Sequence, residues 1–317
     1  VTKIVQNLDR LNEVTASGLN LFENRLINPL FQVDIEGNAA GVTTSGKHVV
    51  EGWITLFNND VTAQTTSRVT GNSVPYALRY TVTTGSDTSI TTGQYAAIMT
   101  AAEGYDISDA MWGTSDAKSV WVSGRIKAPT TGTYCVALEN AGNDRSYVFE
   151  VSCTAGTWVN FEKEIPGDTS GTWDKTNGRG LLVVFTIAAS SASHTTSDTW
   201  AAGDFIATSN QENGLATNGN AYEIEDIRVS VSKPIKTEWR PYALDLAHCE
   251  RYYESQALFV TTSSKAGTWR KQKRATPTAS GGGGAGFTTS GVLTQDAFSY
   301  LQTTPAYQTI YGNARLI

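Results

Sequence analysis

Thr133–Cys153 reads TYCVALENAGNDRSYVFEVSC. Two β-rich runs, Thr133–Glu139 and Tyr147–Cys153, flank the turn AGND, which predicts an antiparallel hairpin. The same texture extends outward in both directions. Tyr76–Thr83 (YALRYTVT), Ser119–Lys127 (SVWVSGRIK), Trp158–Glu164, Leu181–Ile187 and Tyr222–Val231 (YEIEDIRVSV) alternate with period two or run β-rich, and clusters of Gly, Asn, Asp, Ser and Thr divide them. No helical period of comparable length intervenes between about residues 25 and 242, and no fixed repeat marks a β-helix. The expectation is an all-β chain whose main body, residues 25–242, is an antiparallel sandwich or jelly roll.

The flanks differ. Val1, Ile4, Leu8 and Leu11 fall on an a/d seam, with Lys3, Asp9, Arg10 and Glu13 off it. So short a helix is marginal alone, which leaves two readings of residues 1–24: the end of a coiled-coil stem, trimeric if the resemblance below holds, with Val1, Ile4, Leu8 and Leu11 as the oligomerising residues, or one amphipathic helix lying on its own domain. The chain opens on Val rather than Met, which fits a processed form or a fragment. At the other end Lys233–Arg240 reads as a connector, Leu244–Glu254 as a short helix or the start of a strand. A small C-terminal β-domain, residues 243–317, follows. A unit of that size buries little core alone, so it too is expected to associate with copies of itself.

Composition excludes several classes. The 317 residues carry 24 Lys+Arg against 30 Asp+Glu, a net charge of −6, which gives no footprint for nucleic acid. No apolar run approaches the ~20 residues of a membrane span. Three cysteines cannot build a disulfide framework. Cys135 and Cys153 could face each other across the hairpin, but reduced packing residues are expected. Three histidines, His48, His194 and His248, stand in unrelated contexts, without a nucleophile elbow or metal motif beside them. No cofactor and no catalytic residue is indicated. In YEIEDI, Glu223 and Glu225 should share a solvated strand face opposite Ile224, with Asp226 on the other side.

Several segments, in order, resemble phage tail fibre and receptor-binding proteins with a carbohydrate-binding-module-like jelly roll. They are LINPLFQV (Leu26–Val33) as an opening strand, EGYDISDAMWGTSDAK (Glu103–Lys118), TWVNF (Thr157–Phe161), TWAAGD (Thr199–Asp204), GLATNGN (Gly214–Asn220), PYALDLAHCERYYE (Pro241–Glu254) and KRATPT (Lys273–Thr278). The strand after Ala117–Lys118 departs from the group, with Gly124 and Arg125 where an aromatic pair is usual and Trp121 earlier. The resemblance implies a non-enzymatic homotrimer in the virion, assembled in the host cytoplasm and joined to other tail proteins. It would attach to host cell-surface polysaccharide, lipopolysaccharide or capsule. A tailspike depolymerase and a structural or decorating fibre are the alternatives.

Glycan contact would fall to aromatic faces beside hydrogen-bonding side chains. Trp121 and Trp158 read as core, while Trp112 and Trp200 read as loop anchors. One candidate set is Trp173, Asp174, Asn177 and Arg179 in the turn-rich loop Gly167–Gly180. A second is Trp269, Arg270, Tyr300, Tyr307 and Tyr311 in the C-terminal unit. No metal is expected. The alternative, implied by similarity to the last strand of calcium-binding carbohydrate modules, is structural Ca²⁺ on Asp34 and Asp226, with Gln32 where such modules place Glu.

Overall fold

The computed structural model describes residues 24–231, 233, 240–260, 265–282, 288–301 and 306–316. Val1, Ile4, Leu8 and Leu11 lie outside them. The sandwich strands are β1 (Lys47–Val50), β2 (Trp53–Asn58), β3 (Ala63–Thr70), β4 (Tyr76–Thr84), β5 (Tyr95–Glu103), β6 (Val120–Lys127), β7 (Gly132–Glu139), β8 (Arg145–Cys153), β9 (Trp158–Ile165), β10 (Arg179–Ala189), β11 (Trp200–Ala202) and β12 (Ala221–Ser230). They form a seven-stranded sheet, β1-β2-β5-β10-β7-β8-β11, and a five-stranded sheet, β3-β4-β12-β6-β9. Every ladder between these strands is antiparallel. The hairpin forms as its sequence predicts, with Tyr134 opposite Val151 and Glu139 opposite Ser146.

Alternation decides what lies between the sheets. In β6, Val120, Val122, Gly124 and Ile126 are buried while Trp121, Ser123, Arg125 and Lys127 are half-buried. The inner faces supply one core around Trp53, Leu78, Tyr80, Tyr134, Phe149, Phe185 and Ile224. Each large apolar side chain so buried contributes about 1.5–3 kcal/mol. β10 is buried along both faces from Gly180 to Ala189, as its unbroken apolar run requires.

Three expectations change, and a fourth, that the cysteines are reduced packing residues, holds. Leu26–Val33 is a turn segment rather than a strand: Asn28 and Phe31 take positive φ, and the Asn28 amide bridges Val33 and Glu51 backbone. Trp121 and Trp158 are not core but sit on the outer face of the smaller sheet, with Lys233 and Arg125 over their rings. Glu223 and Glu225 share that face, yet they are buried beneath cations rather than solvated. Arg79 and Lys127 cover Glu223, and Arg125 with the Asn72–Ser73 backbone closes over Glu225. Cys135 pairs with Glu150 and Cys153 with Gly132, so the two thiols are not opposite each other, and all three cysteines are free and buried.

Beyond the sandwich, α2 (Tyr242–Glu250) starts directly after Pro241, whose carbonyl accepts from Leu244 and Asp245; α1 is the short turn Gly104–Ile107. The strands β13 (Tyr253–Val260), β14 (Lys265–Thr268), β15 (Thr278–Gly282), β16 (Thr288–Leu293), β17 (Ala297–Leu301) and β18 (Ala306–Asn313) make two three-stranded sheets, β13-β18-β15 and β14-β17-β16. Their described apolar core is small: Trp269, Phe298 and Ile310. Lys273 lies fully buried beside it, donating to Glu254 at 2.6 Å and to the Glu250 carbonyl.

This unit docks on the outer face of the larger sheet. Cys249, Tyr252 and Leu316 join Ile27 and Ala101 in a second apolar cluster. Around it, Glu103 accepts from Arg251 and from the Tyr252 hydroxyl at 2.6 Å, Arg315 pairs with Glu51 at 2.9 Å, and Arg274 donates to the Asn177 carbonyl. Tyr252→Phe removes one donor from a buried carboxylate, so it should lower stability by about 1.5–3 kcal/mol. Denaturant unfolding of the two proteins measures this; an unchanged midpoint would show that the bond is not needed.

Candidate functional site

The outer face of the larger sheet is also apolar away from the docked unit. Ile54 and Leu56 from β2, Tyr95, Ala97 and Met99 from β5, and Leu182 and Val184 from β10 alternate with core residues, and they floor a cleft of about 420 Å³. That volume is in the range of small-ligand sites. Among these floor residues the single aromatic is Tyr95. Ile206 and Ser193 also line the cleft, and Glu139, Asn143, Arg179 and Asp204 carry its polar groups.

The hairpin turn builds this polar group. Asn140 ties the turn by accepting from the backbone of Asp144 and Arg145 and donating to the Thr172 carbonyl. Asn143 takes positive φ and donates to Glu139 Oε2 at 3.0 Å. Arg179, at the start of β10, donates to the Ala141 carbonyl at 2.9 Å. Asp204 arrives from the loop after β11. Gly203, at φ 136°, accepts from Ser146 Oγ, and a side chain there would strike the Phe205 ring.

Glu139 is only 2% exposed, and no protein donor reaches its Oε1. Burial pushes its pKa up to about 9, helped by the charge of Asp204 and by a hydrogen bond between the two carboxyl groups. At neutral pH Glu139 is therefore a neutral acid beside Asp204. The cleft thus offers a shared carboxyl pair, a guanidinium and an amide above an aliphatic floor. Such groups read hydroxyls in both directions, as donors and acceptors.

Of the residues expected to bind glycan, Arg179 alone lines this cleft. Trp173 is not an exposed platform. It is buried edge-on between Trp112 and Trp200, and its indole N–H donates to Ser170 and Asp168. Arg145 grips the same Asp168 through two bonds of 2.7 Å. Trp112 and Trp200 belong to this knot, as loop anchors should. Asp174 is occupied by Thr176, and the Asn177 amide donates to the Arg274 carbonyl in the docked unit. Trp269 is buried against Phe298, not offered to a ligand. Arg270 is exposed but paired with Glu250 and Glu254. The side chains of Tyr300 and Tyr307 lie outside the described residues. Tyr311 stacks on Tyr253.

The calcium alternative does not fit. Asp34 is taken up by the backbone N–H groups of Gly37, Asn38 and Ala39, and Asp226, at positive φ in a bulge, pairs with Arg228. Among the described residues no group of three His, Cys, Asp or Glu is arranged to hold a metal. Nothing in the sequence marks Glu139, Asn143 and Asp204 as a set. The available signal was Glu139 itself, an acid at an outward position of an otherwise apolar strand.

No protein-family model matches the sequence, and no curated protein does either. Among solved structures the chain is similar to the arabinose-bound MgGH51 α-L-arabinofuranosidase, at 12% identity and TM-score 0.35. That match covers 66% of this chain and 26% of the other. It is also similar to TmCBM61 in complex with β-1,4-galactotriose, at 11% identity and TM-score 0.32 over 67% of this chain and 99% of that one. A third is the enzymatically active domain of tailspike protein 4 of bacteriophage CBA120, at 8% identity and TM-score 0.30 over 67% and 22%.

Proposed function

We propose that this chain binds glycan without cleaving it, through the cleft on the outer face of the larger sheet. We further propose that it serves as a homotrimeric phage tail fibre module attaching to host cell-surface polysaccharide, lipopolysaccharide or capsule. The observation that carries the binding reading is the set of convergent donors and acceptors, Glu139, Asn143, Arg179 and Asp204, at an otherwise apolar cleft. Weak single sites become useful in a multivalent appendage, where copies raise avidity without new contacts.

The test is a glycan array on the intact protein, repeated with Arg179→Ala, together with a reducing-end assay on host polysaccharide. Specific binding that falls at least ~10-fold in the variant, with no new reducing ends, is the expected result. Binding unchanged in Arg179→Ala would overturn the cleft as the site. The second reading, a depolymerase, has in its favour the high pKa of Glu139, which suits a general acid. New reducing ends would establish it.

A further inference from the structure

We infer that the cleft selects neutral sugars bearing a methyl group, of which 6-deoxyhexoses are the simplest. This rests on the glycan-binding reading above and names its substrate class. Pyranose sites usually stack the C–H face of the ring on an aromatic plane. Here the floor is aliphatic, set by Ile54, Met99, Leu182 and Val184, with Tyr95 as its single aromatic. Leu56 and Tyr95 are the half-buried members that face the cleft most openly, Ile54, Met99, Leu182 and Val184 lie beneath them less than a tenth exposed, and none of the aliphatic members has a polar side-chain atom to receive a hydroxyl. A hydroxymethyl pressed onto that floor loses its water without a replacement partner. A methyl in the same place gains burial instead.

Charge points to a neutral ligand. Arg179 and Asp204 balance each other, and Glu139 is protonated at neutral pH. A charged sugar would pair with one of the two and repel the other, so its charge gives it no net advantage over a neutral sugar. What remains to be satisfied is hydroxyl chemistry at the polar groups and methyl chemistry on the floor.

L-Fucose and L-galactose differ only at C6, as do L-rhamnose and L-mannose, so each pair isolates the methyl. Dissociation constants for the four free sugars, measured by saturation-transfer NMR on the full chain, should favour the deoxy member of at least one pair by ~10-fold or more. The strongest saturation should fall on its methyl protons. Val184→Thr, which keeps shape but puts a hydroxyl in the floor, should reduce that preference to about threefold or less. If Val184→Thr fails to fold, Met99→Gln makes the same test. Equal affinities within both pairs, or preference for the C6-hydroxyl members, would overturn the inference while leaving polysaccharide binding intact. Polysaccharide binding without any binding of the four monosaccharides would overturn it too. Loss of array binding altogether is the separate result that sinks the parent reading.

Discussion

Glu254→Ala should melt the C-terminal unit while the sandwich stays folded. Lys273 is fully buried and so is Glu254, and their 2.6 Å contact is the ion pair at the heart of that unit. Burial raises the Glu254 carboxyl, but donors from Lys273, the Arg270 backbone and Gln256 outweigh it and hold the group below its ordinary pKa. Burial pulls the Lys273 ammonium below its ordinary pKa, and the contact with Glu254 opposes that pull. Removing the carboxylate leaves the Lys273 side chain with the Glu250 carbonyl and the Trp269 ring, within range of the charges of Glu250 and Arg270. Breaking a buried pair from one side costs about 3–5 kcal/mol. The described apolar core here is Trp269, Phe298 and Ile310, too small to absorb such a loss, whereas the sandwich rests on its own much larger core. Calorimetry should show a low-temperature transition split from the main one, and proteolysis should cut within residues 250–316 first. Glu254→Leu combined with Lys273→Met should restore much of the loss by removing both charges. A single unshifted transition in Glu254→Ala would show that the pair carries no such load.

Glu139→Gln should be more stable than its parent at pH 8 and no more stable near pH 4. In the native chain the Glu139 carboxyl holds its proton up to about pH 9, against an ordinary 4.5 when unfolded. Between those values the folded state binds a proton that the unfolded chain releases. Its contribution is thus fully present below pH 4.5 and is lost as pH rises towards 9, with a limiting slope of about 1.4 kcal/mol per unit. Glutamine is neutral throughout, and its amide keeps a donor beside Asp204. The expected gain at pH 8 is on the order of 3 kcal/mol. Urea titrations at pH 4, 6 and 8 measure it, and parallel pH profiles for the two proteins would refute it. The variant also separates binder from hydrolase. Glycan binding should survive, because the donor is kept, whereas any cleavage by Glu139 as general acid would disappear.

The β-strands were legible because the sandwich is a two-faced object, and β6 shows it with inward Val120, Val122 and Ile126 alternating with outward polar or half-buried residues. The cleft was not. Leu182 and Val184 sit in a run that reads as buried on both sides, and nothing in LLVVFTIAA distinguishes a floor open to ligand from one covered by the docked unit. Asp204 meets Glu139 only through strand order, which places the short β11 beside β8. The aromatic knot misled for a related reason. Trp173 stands among Gly, Asp and Asn, which reads as an exposed loop, yet Trp112 and Trp200 come from distant segments to bury it. Spacing along one chain does not reveal a three-way meeting. Alternation along β12 gives the shared face of Glu223 and Glu225 but not its cover, since Arg79, Arg125 and Lys127 belong to neighbouring strands.

The cysteines turn the molecule into its own reporter. Cys153 belongs to the inter-sheet core, Cys135 lies on the outer face beside Thr208, and Cys249 sits in the seam between sandwich and C-terminal unit. Burial raises each thiol above its ordinary pKa, so none is a ready nucleophile while its region stays closed. A water-soluble alkylating reagent followed by peptide mapping would therefore time the opening of two apolar clusters at three positions in one unmodified chain.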